Sequence, residues 1–268
     1  NSVKGIFLGG LTPSIVNTID EIVINNGGTA TDFGDLTSNK RSGIPSCNSH
    51  GGLNDGYQGT RPLPFNEAGG DRGIVAGGYD GSNRLTLIQS VKISSTGNSN
   101  KFGDLSVAKN AMAGISSKIR GLVAGGNTPT ELSTIDYITF STVGNSTDFG
   151  DLTVGRSSGS SGQMCSATRS IFAGGLTPSG SDVIDYVTTV TTGNATDFGN
   201  MTAATDEAAA ASSTTRGVMA GGSAPGVVNV IQFVTIASTG NASDFGDLGK
   251  ARQQFSGMSD AHGGLQGG

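Results

Sequence analysis

The chain has 268 residues, of which 45 are glycine and none is tryptophan; charged side chains make up 14%, and the formal charge is −5. Glycine at more than twice its usual share of about 7%, without a three-residue period, excludes collagen, and regularly spaced β-branched runs exclude a disordered chain. The acidic balance and the lack of any apolar run near ~20 residues argue for no nucleic-acid partner and no membrane insertion.

The chain opens at NSVKGIFLGG, with neither an initiator Met nor a signal-peptide pattern, so a preceding segment is expected. KGIFLGG (4–10) predicts a strand that ends on a diglycine. It returns as RGIVAGG (72–78), RGLVAGG (120–126), RSIFAGG (169–175) and RGVMAGG (216–222), which places Gly10, Gly78, Gly126, Gly175 and Gly222 at equivalent points. TDFGDL (31–36) follows, and a strand-flanked DFG is a known frame for a magnesium-binding aspartate. The phrase then recurs as KFGDL (101–105), TDFGDL (147–152), TDFGNM (196–201) and SDFGDL (243–248), carrying Phe33, Phe102, Phe149, Phe198 and Phe245. A catalytic aspartate is needed once, so a pattern printed five times is architecture. Asp32/Asp35, Asp148/Asp151 and Asp244/Asp247 are therefore expected to cap turns or to face the basic residue that opens each diglycine strand (Lys4, Arg72, Arg120, Arg169, Arg216). No metal and no cofactor is expected.

Successive phenylalanines stand 69, 47, 49 and 47 residues apart (33, 102, 149, 198, 245), which sets a repeat near 48 with one enlarged copy. Such a period implies one supersecondary unit stacked many times. Each unit predicts four short strands, in the third copy AGISSKI (113–119), RGLVAGG, IDYITFST (135–142) and TDFGDL. Gly97-Asn98, Gly144-Asn145, Gly193-Asn194 and Gly240-Asn241 are the predicted hairpin turns between third and fourth strands. EAAAASS (207–213) has helical composition, but its place in the repeat predicts an inner strand.

The non-repetitive parts carry the candidate binding residues. The insertion 49–71 holds Tyr57, Arg61 and Phe65, and reads either as a partner-binding loop or as a plug. The links LTPSIVN, YDGSNRL, NTPTELS, LTPSGSD and SAPGVVN vary between copies and predict a polar surface suited to glycans or another protein. Arg41, Lys109, Arg156 and Arg252 follow the fourth strands. They predict either a basic mouth for an acidic polysaccharide or ion pairs with carboxylates of the repeats. His50 and His262, each in HGGL, lack companion ligands and are expected to pack in loops; Cys47 and Cys165, a whole repeat apart, are expected as free thiols.

The order strand, diglycine, strand, turn, aromatic, basic link resembles the kelch repeat, with Tyr137 and Tyr186 in its Tyr place and the five phenylalanines in its Trp place. The resemblance implies an all-β, five-bladed kelch-like β-propeller of four-stranded antiparallel blades. Its repeats run about 1–41, 42–109, 110–156, 157–205 and 206–252. The terminal RQQFSGMSDAHGGLQGG matches KRSGIPSCNSHGGLNDG (40–56), so 253–268 supplies a closing strand beside 4–10; six blades is the alternative. More narrowly, TGNATDFGDL resembles repeats of structural proteins of marine bacteriophages, particularly those infecting cyanobacteria. This implies a non-enzymatic virion protein on a tail fibre or the capsid exterior, with other virion proteins and host-surface polysaccharide as partners. A carbohydrate-binding module of a secreted or surface bacterial protein is the second reading. A glycoside hydrolase is the third; it would need carboxylates converging at the axis, where the inner strands offer almost none.

Overall fold

The computed structural model describes residues 4–23, 28–47, 71–117, 119–159, 164–166, 168–213 and 215–257. These residues are all-β, arranged as five antiparallel sheets of three or four strands, with no helix among them. Sheet 1 holds β1 (Lys4–Thr12), β2 (Ser14–Val23) and β3 (Thr31–Asp35). Sheet 2 holds β4 (Ile44–Cys47), β5 (Arg72–Ala76), β6 (Leu87–Lys92) and β7 (Asn100–Asp104). Sheet 3 holds β8 (Ala113–Ser116), β9 (Arg120–Ala124), β12 (Thr134–Thr139) and β13 (Thr147–Asp151), with an arm formed by β10 (Asn127–Thr128) and β11 (Thr130–Glu131). Sheet 4 holds β14 (Arg169–Ala173), β17 (Val183–Thr188) and β18 (Thr196–Asn200), with the arm β15 (Leu176–Thr177) and β16 (Ser179–Gly180). A bridge from Cys165 to Ser170 adds a short inner neighbour to β14. Sheet 5 holds β19 (Ala209–Ser212), β20 (Arg216–Ala220), β21 (Val230–Thr235) and β22 (Ser243–Asp247).

Strands are consecutive within each sheet, as in a β-propeller-like fold. EAAAASS forms β19 rather than a helix, because the sheet, not the alanine propensity, supplies its burial. Both faces of a middle sheet are apolar, and each face packs on the next sheet. Ile74, Ile88, Phe102 and Leu105 of sheet 2 meet Val123, Ile138 and Phe140 of sheet 3. Leu122, Ile135, Phe149 and Leu152 of sheet 3 meet Phe172 and Val187 of sheet 4. Ile171, Ile184, Phe198 and Met201 of sheet 4 meet Met219, Val234 and Ile236 of sheet 5.

The diglycines end the second strands for a steric reason. Gly77 and Gly78 have φ of +58° and +108°, and a Cβ on Gly77 would lie 2.7 Å from the Lys109 carbonyl oxygen. The second glycine of each pair donates its N–H to a link carbonyl: Gly10 to Lys40, Gly78 to Lys109, Gly126 to Arg156, Gly175 to Thr205 and Gly222 to Arg252, at 2.8–3.0 Å.

The hairpin between third and fourth strands differs from expectation. Its tight turn closes at Ser95 N–Lys92 O, Thr142 N–Thr139 O, Thr191 N–Thr188 O and Ser238 N–Thr235 O. The Gly-Asn pairs lie beyond it and serve another purpose, described below. At the entry to the inner strands, Ser42, Ala111, Ser158, Glu207 and Gln254 share a left-handed backbone with φ of 50–57°. Ala111 N donates to Ser42 O, Ser158 N to Ala111 O, Glu207 N to Ser158 O and Gln254 N to Glu207 O, an arc running across the successive sheets.

Candidate functional site

The four DFG aspartates do local work; the second copy has Lys101 at this position, paired with Asp104. Asp32 Oδ1 accepts the N–H of Gly34 at 3.1 Å, and Asp148, Asp197 and Asp244 do the same for Gly150, Gly199 and Gly246. Each is a two-residue Asx cap. The DFG glycine is needed because the Gly-Asn pair of the following sheet lies on it: a Cβ on Gly34 would meet Gly97 at 2.6 Å, and one on Gly150 would meet Gly193 at 2.5 Å. Gly97, Gly144, Gly193 and Gly240 donate N–H to Phe33, Phe102, Phe149 and Phe198 carbonyls. Asn98, Asn145, Asn194 and Asn241 Oδ1 accept from the N–H of Asp35, Asp104, Asp151 and Asn200. The repeated phrases are the two halves of an inter-sheet clasp.

The basic residues that open the diglycine strands do not face the aspartates. Arg120 and Arg169 stack over Tyr137 and Tyr186 at 4.5 Å, and Arg216 over Phe233 at 4.6 Å. Arg72, Arg120 and Arg169 each donate onward to a carbonyl of the next sheet, at Phe140, Val190 and Ile236.

The four basic link residues divide. Lys109 (0% exposed) places Nζ 2.8 Å from Asp136 Oδ2, an ionic contact without hydrogen-bond alignment. Arg156 (3% exposed) places Nη2 2.8 Å from Asp185 Oδ2. Both are buried in ion pairs between consecutive sheets, so neither lines a solvent-facing basic mouth. Arg41 and Arg252 are exposed; Arg41 stacks over Tyr79 and Arg252 over Phe255. The buried equivalent of Lys109 is Lys40, not Arg41. The spacing already held this: Lys40, Lys109, Arg156, Thr205 and Arg252 each follow their DFG phenylalanine by seven (33 to 40, 102 to 109, 149 to 156, 198 to 205, 245 to 252). Thirteen residues ahead of the same phenylalanines stand Asp20, Gln89, Asp136, Asp185 and Gln232, the partner positions that the motif reading missed. Each sits at the bulge of its third strand. Tyr57, Arg61, Phe65, His50 and His262 lie outside the described residues.

The YDGSNRL link is an Asx turn. Asp80 Oδ1 accepts the N–H of Asn83 and Ser82 at 2.7 and 2.8 Å, and these bonds hold its carboxyl below the usual range. Cys165 is buried as a free thiol, its pKa pushed up to about 12 by desolvation. Among the described residues no group of three or more His, Cys, Asp or Glu is placed to hold a metal.

A cavity of about 290 Å³ lies along the free edge of β1, lined by Ile6, Phe7, Leu8, Lys40, Arg41 and Val75 among others. The equivalent place between sheets 3 and 4, where Ala113 of the inner strand is part of the lining, holds about 10 Å³. The cavity is thus the inner-strand slot of sheet 1. At its wall the Lys40 ammonium has no hydrogen-bond partner among the described residues, and burial pulls its pKa down to about 8 from 10.5. The facing position is Gln89, whose Oε1 accepts from Thr37 N and Ser99 Oγ.

This unpaired cation gives a pH signature. The unfolded chain holds more protons than the folded one between pH 8 and 10.5, so stability rises with pH across that window. The expected rise is about 3 kcal/mol at most. Lys40→Met removes the rise and stabilises the protein at pH 7. Urea unfolding of both proteins at pH 7 and pH 10 checks this; parallel behaviour of the two would refute it.

Comparison with protein-family models and with curated proteins gives no match.

Proposed function

We propose that this chain is a non-enzymatic attachment protein of a phage particle: a five-bladed kelch-like propeller carried on a tail fibre or the capsid exterior, with other virion proteins and host-surface polysaccharide as partners. The observation that carries the reading is how the repeated charges are used. Lys109, Arg156, Asp136 and Asp185 hold sheet to sheet, and the DFG aspartates cap their own glycines. Exposed segments include the repeated turns 94–98, 141–145, 191–194 and 237–241, and also link tips that differ from copy to copy, Gly81–Asn83, Pro129-Thr130, Pro178-Ser179 and Pro225–Val227. A rigid scaffold that displays variable polar tips suits recognition rather than turnover.

Closure of the ring belongs to the same proposal. Gln254 extends the inner arc, and Phe255 lies against Gly221 as Met112 lies against Gly77. Residues 253–268 would then continue into the slot beside β1 as the inner strand of the first blade; a sixth blade is the alternative.

Adsorption of the purified chain to cells and to acidic and neutral glycans tests the function. Binding is expected, with a several-fold loss when Pro178-Ser179 and Pro129-Thr130 are replaced by Gly-Gly, and with the fold retained. Antibody labelling is expected to find the chain on intact particles. Binding without a place on particles would favour the carbohydrate-binding module of a cell-surface protein, and neither result would end the proposal.

A further inference from the structure

We infer that Asp20 and Arg252 form an ion pair at the fifth junction, the third of its kind, through which sheet 5 docks on sheet 1 of the same chain; this rests on the five-bladed closure proposed above. At two internal junctions the link residue of one sheet meets the bulge residue of the next. Lys109 with Asp136 and Arg156 with Asp185 are base and acid at 2.8 Å. At the junction of sheets 4 and 5 the link residue is Thr205 and the bulge residue Gln232, both neutral; Gln232 accepts from Thr202 N and Oγ1. At the junction of sheets 1 and 2 the positions hold Lys40 and Gln89, a base and a neutral residue. The two members left without a junction are Arg252 in the link after sheet 5 and Asp20 in the bulge of sheet 1, opposite in charge and both exposed.

The faces around them are also the two left over. Sheet 5 turns Val218, Ala220, Ile231, Phe245 and Leu248 outward, all half-buried or exposed. Their counterparts Ile171, Ala173, Ile184, Phe198 and Met201 in sheet 4 are at 0–5%. Phe245 is 54% exposed against 2–3% for the other four DFG phenylalanines. Sheet 1 presents Phe7 at 55%, where Val75, Val123, Phe172 and Met219 are at 0–4%. Gly246 has no atom within 4 Å of a would-be Cβ, whereas its counterparts Gly34, Gly103, Gly150 and Gly199 each meet the Gly-Asn turn of the next sheet within 2.6 Å; the turn glycine left to cover it is Gly28. One end of the row carries the acid and its apolar face, and the other carries the base and the complementary face. This makes sheet 1 of the same chain the occupant that fits.

The test is a charge exchange in the full chain. Asp20→Arg and Arg252→Asp are each expected to lower Tm by roughly 5 °C or more, and the double variant to recover most of the loss, as expected for a desolvated pair. Independent exposed charges would shift Tm by only about 1–2 °C. Ala30→Cys with Asp247→Cys, in a Cys47→Ser background, reports the docking itself. These positions match Ser99 and Asp35, whose backbones bond at 2.8 Å in the first clasp. An intrachain cross-link in a monomer, together with charge coupling, supports the inference. An intrachain cross-link without coupling leaves closure standing and removes the ion pair. A cross-link between two chains, or none at all, overturns both the pair within one chain and the closed ring.

Discussion

Asp185→Asn is expected to cost about 3–5 kcal/mol of folding free energy, whereas Asp148→Asn should cost within about 0.5 kcal/mol. Both substitutions remove one negative charge from the same repeat family, so the contrast rests on place alone. Asp185 is 0% exposed and holds Arg156 at 2.8 Å while accepting from Thr153 N and Oγ1. Without it the guanidinium stays in the interior without a counter-ion, and burial already lowers the pKa of Arg156. The exposed Asp148 only accepts the N–H of Gly150, which an Asn oxygen accepts equally well. Replacing the pair together, Arg156→Met with Asp185→Leu, should restore much of the loss, since a buried ion pair is often no better than a packed apolar one. Urea unfolding of the four proteins measures this. Equal losses for Asp148→Asn and Asp185→Asn would contradict the roles assigned to them.

Gly150→Ala and Gly246→Ala compare a filled clasp with the one that the proposed ring closure would fill. Both glycines have φ near +140°, so both variants bear backbone strain of about 1–2 kcal/mol. At Gly150 the new methyl would also lie 2.5 Å from the backbone of Gly193, which is held in place by its bond to Phe149 O. That collision raises the expected loss to about 3 kcal/mol or more. At Gly246 nothing lies within 4 Å, so only the strain remains. Thermal or urea unfolding compares them. A strain-only loss at Gly246 is the expectation for an open row of sheets. The ring closure proposed above would bring Gly28 onto Gly246 and so predicts losses of similar size for the two variants, and a Gly246→Ala loss limited to the strain would contradict closure.

The repeat made the fold readable. Diglycine and DFG phrases at fixed spacing set strand order, and the spacing overrode the helical composition of Ala208–Ala211. What the phrases do was less readable. Asn98 and Gly97 read as a hairpin turn because Gly-Asn favours φ > 0, but their partners are Phe33 and Asp35, a repeat away in sequence. Arg41 read as a link base because it stands next to Lys40, and local pattern does not say which of two adjacent cations turns inward. The phenylalanine spacing does say so, and it also points to Asp136 and Asp185, which read as ordinary polar positions of an amphipathic strand. Charge alone could not show burial, and so the basic mouth dissolved into ion pairs at Lys109 and Arg156.

The junction residues have a consequence for how such a chain can grow. The backbones of the units are interchangeable, since every clasp and every diglycine contact uses the same atoms. The side chains at the junctions are not. A tandem duplicate of 157–205 would set Thr205 of the first copy against Asp185 of the second, leaving a carboxylate in the interior with no cation opposite. A duplicate of 110–156 would instead set Arg156 against a second Asp136, acid to base. The link and bulge positions therefore act as an address, written in charge, that permits some neighbours and rejects others.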